Sequence, residues 1–229
     1  MPAHTDHQFE AELQELKDRL LAMGGRCEKM MHGAIRAFEE QDEAAAREVM
    51  RADKQMNADE LAIDELVVRI LALRNPVGRD LRFAMTATKV VTDLERIGDE
   101  TVNFAERVIE MIQSGPMPEL ARALPEMARL ASHMLKDALD SFVGEDAKKA
   151  MTVRAQDDPV DEHYGTILRE AERFMESNPA NVRSGMRVAS CAKYLERIAD
   201  HATNIAEMVV FLARGEDVRH SGSRKTGGA

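Results

Sequence analysis

The sequence predicts an all-α protein made of two tandem three-helix bundles, six long helices in all, produced by an internal duplication. Three observations carry that prediction. Apolar residues recur at three- and four-residue spacing along nearly the whole chain, with no sustained alternation of the kind a half-buried strand requires. Composition agrees: hydrophobic residues make up 44% and aromatics 4%, with 15 Met and no Trp. Small residues and flexible Met suit helix-on-helix packing, whereas sheets favour aromatic and β-branched side chains. Finally, Leu94-Glu95-Arg96-Ile97-Gly98-Asp99 aligns with Leu195-Glu196-Arg197-Ile198-Ala199-Asp200, and Asn103, Ala105 and Glu106 align with Asn204, Ala206 and Glu207. That is 8 identities in 13 positions at one offset of 101 residues, which Arg82 and Arg183 share. Repetition at such a distance marks a duplicated domain and not a short-period solenoid.

The elements follow in order. Phe9, Leu13, Leu16, Leu20 and Met23 open a first helix that runs to about Glu40. Asp42 is placed to cap a second, through Met50, Met56, Leu66 and Leu73. Asn75-Pro76 reads as an N-cap followed by Pro at the first helical position, and the third helix continues to about Gln113, where Ser114-Gly115-Pro116-Met117-Pro118 stops it. The second half repeats the scheme: Leu120 to Phe142, a turn at Val143-Gly144-Glu145, then a fifth helix to Glu176 that breaks or kinks at Asp158-Pro159. Asn178-Pro179 repeats the capped start, and the sixth helix ends near Arg214-Gly215. Residues 1–115 form the first unit and 116–215 the second. Residues 216–229, rich in Gly, Ser and charge, are expected to be disordered.

Charge and cysteine usage narrow the function. A formal net charge of -10 argues against nucleic-acid binding, which needs a basic face. Cys27 and Cys191 lie far apart inside helical patterns, forming neither a disulfide framework nor a metal motif, so reduced thiols and a cytoplasmic location are expected. The acidic, polar stretch from Met1 to Glu10 is not expected to act as a signal peptide. The apolar run Met208 to Ala213 is far too short to span a bilayer, so any membrane role runs through a partner.

The chemistry sits on the third helix of each repeat. At 100° per residue, Glu95, Asp99, Val102 and Glu106 share a stripe about 60° wide, away from the apolar set Leu94, Ile97, Thr101, Phe104 and Val108. Glu196, Asp200 and Glu207 repeat that stripe. Two carboxylates at i and i+4 repel, and a hard cation such as iron, zinc or another divalent ion reverses the sign. Two ligands are too few, so the middle helices must supply more: Asp53 and Asn57 in one repeat, Asp157 and Asp161 in the other, each pair again four apart. A solvated acidic face is the commoner meaning of such a stripe, but its duplication at fixed positions favours metal. Arg96 and Arg197 are expected to pair with their flanking acids. Arg79, Asp80 and Arg82 are placed for an anion at a helix start, although interhelix ion pairs explain them more simply. His201 adjoins Asp200, yet its counterpart is Glu100; His32, His133 and His163 are scattered.

These residues resemble the PhoU family, the phosphate-uptake regulators of bacteria. The resemblance runs from about Phe9 to Gly215 in both halves, most specifically at 94–99 with Asn103, at 195–200 with His201 and Asn204, and at Asn75 to Arg82. It implies two three-helix bundles side by side, metal held by the Glu-x-x-x-Asp motifs, and a homodimer. It also implies partners: the ATPase subunit of a phosphate transporter, restrained by this chain, and a sensor histidine kinase held silent when phosphate is plentiful. Asn57 in place of Asp161 predicts a first site with one charge fewer. The expected function is a regulatory adaptor and not an enzyme. The alternatives are a metal-free helical scaffold, or a ferritin-like di-iron enzyme. The last needs Glu-x-x-His pairs, and Lys29, Leu130, Val160 and Ile198 stand three before His32, His133, His163 and His201.

Overall fold

A computed structural model describes residues 7–218. Among the described residues there are seven α-helices: α1 (His7–Glu40), α2 (Glu43–Arg74), α3 (Gly78–Gln113), α4 (Leu124–Gly144), α5 (Ala147–Ala155), α6 (Asp157–Ser177) and α7 (Val182–Arg214). Short 3-10 turns, Glu119–Ala123 and Pro179–Asn181, lead into α4 and α7, and there is no strand among the described residues. The predicted fifth helix is α5 plus α6, divided at Gln156. Pro159 explains the place: it has no N–H for the carbonyl of Ala155, four residues back, and its ring crowds that carbonyl. The tail residues 219–229 lie outside the described residues.

The caps show why the helices stop where they do. Asp42 accepts from Ala44 N at 2.8 Å and Ala45 N at 3.1 Å, as its position predicts. Asp146 does the same for α5, accepting from Lys148 N and Lys149 N. Asn178 accepts from Ala180 N at 2.9 Å, with Pro179 opening the turn into α7. Asn75 behaves otherwise. It closes α2 in the left-handed conformation, φ 46°, and α3 begins at Gly78 after an N-cap, Val77, without a side-chain bond. Asn tolerates both roles, and the residue pair Asn-Pro alone does not choose between them.

α1, α2 and α3 make one bundle, and α4, α5–α6 and α7 the other; they lie side by side through α3 against α7 and α1 against α4. α3 and α7 run antiparallel, since Arg187 meets Glu110, Arg197 meets Glu100 and His201 meets Asp93. Both helices bury many small residues, Ala84, Ala87 and Ala105 on α3 and Ala192, Ala199, Ala202 and Ala206 on α7, which lets neighbouring helices approach closely; Gly98 faces α2, where an added Cβ would stand 3.5 Å from Met56. Gly24 on α1 is likewise pressed on α4, where an added Cβ would stand 2.7 Å from Leu139. One continuous core of Leu, Met, Val, Ile and Ala fills both bundles. Cys27 and Cys191 are free and buried within it, and Cys27 donates to the carbonyl of Leu94 at 3.1 Å. Burial drives both thiols far above their ordinary pKa, so neither is a nucleophile.

Candidate functional site

Each acidic stripe faces the middle helix of its own bundle, so both form seams within a bundle rather than outer faces. Glu95 and Glu196 keep only 16% and 15% of their side-chain surface exposed. The expectation that the acids point away from the packed interior is corrected accordingly: the stripe lies beside the core face, and the neighbouring helix closes over it.

In the first seam, Asp53 on α2 stands against Asp99 on α3. Burial, then the charge of Asp99, raises the pKa of Asp53. Asn57 donates to Asp53 Oδ2 at 3.1 Å and is exposed, while Asp53 Oδ1 is buried with no hydrogen-bond partner. Two acids missed in the sequence belong here, Glu60 and Asp64. Burial raises the pKa of Glu60, as do the charges of Asp64 and Asp99. Asp64 Oδ1 is a second buried oxygen without a donor. Burial and then Asp99 and Glu60 raise Glu95. The spacing 53, 57, 60, 64 is a helical stripe that the sequence carried openly. The first site is therefore not the poorer in charge, because Glu60 and Asp64 more than replace what Asn57 lacks. Their counterparts at the 104-residue offset relating Asp53 to Asp157 are Tyr164 and Leu168.

In the second seam, α6 brings Asp157 and Asp161 to Glu196 and Asp200 on α7. Asp157 is pushed up to about 6, by burial first and then by Asp161, Asp200, Asp158 and Glu196. Burial and Glu196 also raise Asp200. All seven carboxylates proposed from sequence thus fall in the two seams, four of them in mutual repulsion here.

Each seam already carries one cation of the chain. Arg96 lies 3.4 Å from both Glu95 Oε2 and Asp99 Oδ2. Lys193 Nζ lies 2.6 Å from Glu196 Oε2 and 5.4 Å from the Tyr164 ring centroid. No three His, Cys, Asp or Glu side chains among the described residues converge into a ready cage for an ion. The donor set is nonetheless all oxygen, with two orphaned buried carboxylate oxygens, which fits a hard divalent cation.

Other residues fall elsewhere. Arg197 does not pair with its flanking acids but crosses to the buried Glu100 at 2.7 Å. His201 Nδ1 lies 2.8 Å from Asp93 Oδ1, to which Asn204 also donates at 3.2 Å. Asn103 donates to Glu100 at 3.3 Å. Arg197, His201 and Asn204 therefore join the two bundles, while Asn103 braces Glu100 from within α3. Glu207 is buried beside Arg154, 3.2 Å away, and Glu106 lies 3.7 Å from Arg107, so the stripe does not extend that far as a site. Arg79 is ion-paired to Glu145. No described helix is long and apolar enough to cross a membrane.

The comparisons with known proteins agree with this architecture. The model of the PhoU domain matches twice, over residues 20–108 and 124–209. The Pseudomonas putida phosphate-specific transport system accessory protein PhoU homolog is 41% identical over 97% of this chain and 87% of its own length. The Escherichia coli K12 accessory protein PhoU is 35% identical over 96% and 90%. The crystal structure of PhoU from Pseudomonas aeruginosa, 40% identical, superposes with a TM-score of 0.88 over 91% of this chain and 100% of that one. That of the Streptococcus pneumoniae phosphate transport system regulatory protein PhoU, 30% identical, gives 0.83 over 92% and 99%. With the duplicated motif, the tandem bundles and the full-length matches in hand, the chain belongs to the PhoU family.

Proposed function

We propose that this chain is a cytoplasmic regulatory accessory protein of phosphate uptake. It docks on the ATPase subunit of a phosphate ABC transporter and on a sensor histidine kinase, and restrains both uptake and phosphate-starvation signalling. The observation that carries this reading is a repeated apolar surface. Leu81 and Met85 on α3 are 40% and 45% exposed, and their counterparts Val182 and Met186 on α7, at the same offset of 101, are 45% and 54% exposed. A merely solvated face has no reason to hold large apolar side chains at the same places twice. Because α3 and α7 are antiparallel, the two patches sit at opposite ends of their contact, which supports two equivalent docking places. The relatives are named for an accessory role in phosphate transport and not for a reaction.

In this proposal the seams hold divalent metal: Asp53, Glu60, Asp64, Glu95 and Asp99 in the first, Asp157, Asp161, Glu196 and Asp200 in the second. The ion supplies positive charge that relieves the mutual repulsion of the carboxylates. Arg96 and Lys193 must swing away to let it in, and dimerisation through the rigid bundles completes the adaptor. A second reading, the metal-free scaffold, draws on those same two side chains, since they already neutralise part of each seam.

The test of the adaptor is direct. The purified chain is expected to co-elute with the transporter ATPase subunit, and Met85→Glu with Met186→Glu to abolish co-elution without loss of helicity. Deleting the gene is expected to derepress phosphate-starvation genes; normal repression in the deletion strain would reject the adaptor.

A further inference from the structure

A cleft of about 1180 Å³ opens where the C-terminal end of α3 meets the start of α7, far from either carboxylate seam. Its lining includes Arg107, Arg183 and Arg187, Ser114 and Ser184, a single carboxylate, Glu110, and the apolar side chains of Val182 and Met186. In a chain of net charge -10 this corner is locally basic.

The glutamate is already shared. Glu110 lies 2.7 Å from Arg107 Nη1 and 3.0 Å from Arg187 Nε, and Arg187 Nη1 donates to Ser114 Oγ at 2.6 Å. Arg107 has one further acid, Glu106, at 3.7 Å, and its Nε–H is buried with no acceptor. Arg183 is exposed and makes no ion pair among the described residues. The first turn of α7 contains no acidic residue, and Asn181 spends its side chain on the carbonyl of Phe174 and on Ser177.

The duplication supplies an internal control. At the same offset, Arg107, Glu110 and Arg187 correspond to Met208, Phe211 and Thr86 at the opposite end of the α3–α7 contact. The fold therefore closes an equivalent corner with apolar and small side chains. The arginines here are an addition to the packing plan, not a requirement of it, although Arg183 itself has Arg82 as counterpart.

We infer that this cleft is a binding site for a small molecule carrying an ionised phosphoryl group. Guanidinium groups offer paired N–H donors that match the oxygens of a tetrahedral oxyanion. Ser114 spends its own O–H on the carbonyl of Glu110, but three guanidiniums with the hydroxyl of Ser184 present more donors than the two oxygens of one carboxylate accept, and Glu110 neutralises only part of their charge. Arg187, fixed by Glu110 and Ser114, orients the anion; Arg183, unpaired, provides the remaining charge. This inference does not rest on the metal reading, and the cleft shares Val182 and Met186 with the proposed docking surface on α7.

The experiment is isothermal titration of the full chain in EDTA with inorganic phosphate, with ATP and with adenosine. Saturable binding of phosphate or ATP is expected, weakening as salt is raised, with no binding of adenosine. Binding of phosphate alone, ATP alone or both supports the site and sizes its ligand. Arg183→Glu, at an exposed unpaired position, is expected to weaken binding by roughly tenfold or more with unchanged circular dichroism. Glu95→Ala with Glu196→Ala is expected to leave it intact, which separates this site from the seams. Absence of saturable binding by both phosphate and ATP, or equal binding by Arg183→Glu, overturns the inference.

Discussion

Asp157 is the residue whose environment is most out of balance. Partial burial, and then four neighbouring carboxylates, push it up to about 6 from the ordinary 3.8. A raised carboxyl pKa means the folded state holds its proton more tightly than the unfolded chain does. The resulting stabilisation is present below about pH 4, is lost as pH rises towards 6, and leaves a cost at neutral pH. Asp157→Asn removes that cost. In metal-free buffer the variant is expected to match the parent near pH 4 and to exceed it by about 1 kcal/mol at pH 7. That is well below the roughly 3 kcal/mol of a full conversion, because the side chain is partly solvated. Urea titrations at the two pH values check it. With saturating divalent ion the order is expected to reverse, since only the parent gains the bound charge.

Glu100 makes the opposite kind of case. It is buried with Arg197 at 2.7 Å and Asn103 as its donors. Arg197→Ala leaves a buried carboxylate with one weak bond, at an expected cost of about 2 kcal/mol. This falls below the range for fully buried pairs because Arg197 is itself half exposed. Adding Glu100→Gln is expected to recover most of the loss, which a double-mutant cycle in urea measures.

At the level of the elements, the long helices were legible in the sequence because each signal was local and period-based. Asp42 as a cap, the stop after Gln113 and the end at Gly215 all lie where turn chemistry puts them. Asp42→Ala is expected to cost about 1 kcal/mol by loss of two N–H partners, read as a lower urea midpoint. Misreadings arose where one residue pair serves two geometries, as Asn75-Pro76 does, and where two helices must be placed together. Stripe angles give the direction of Glu95 and Asp99 but not how deeply α2 covers them, because that depth depends on a second helix. Glu60 and Asp64 escaped because they have no counterpart in the second repeat, and the duplication was the guide. Arg197 escaped similarly: its partner, Glu100, lies on the other bundle, and periodicity within one helix contains no information about a facing helix.

The whole molecule is a pair of near-equivalent bundles turned antiparallel across α3 and α7, with one carboxylate seam inside each. That arrangement keeps the acids rigid and away from the contact between bundles, where His201, Asp93, Glu100 and Arg197 hold the halves together. Each seam is a row of oxygens with an internal cation, repeated, and set apart from the exposed apolar pairs on α3 and α7. If metal enters as proposed, Arg96 and Lys193 are the side chains it must displace, and the two seams are expected to differ in affinity through the residue each must move.

The most direct test is the metal content of the purified full chain by elemental analysis, compared with that of the Glu95→Ala, Glu196→Ala double variant. Bound iron, zinc or another divalent ion is expected in the parent, and loss of most of it in the variant, with helicity retained. Equal metal content in the two proteins would contradict that expectation and leave both seams as acid rows neutralised by the chain's own Arg96 and Lys193.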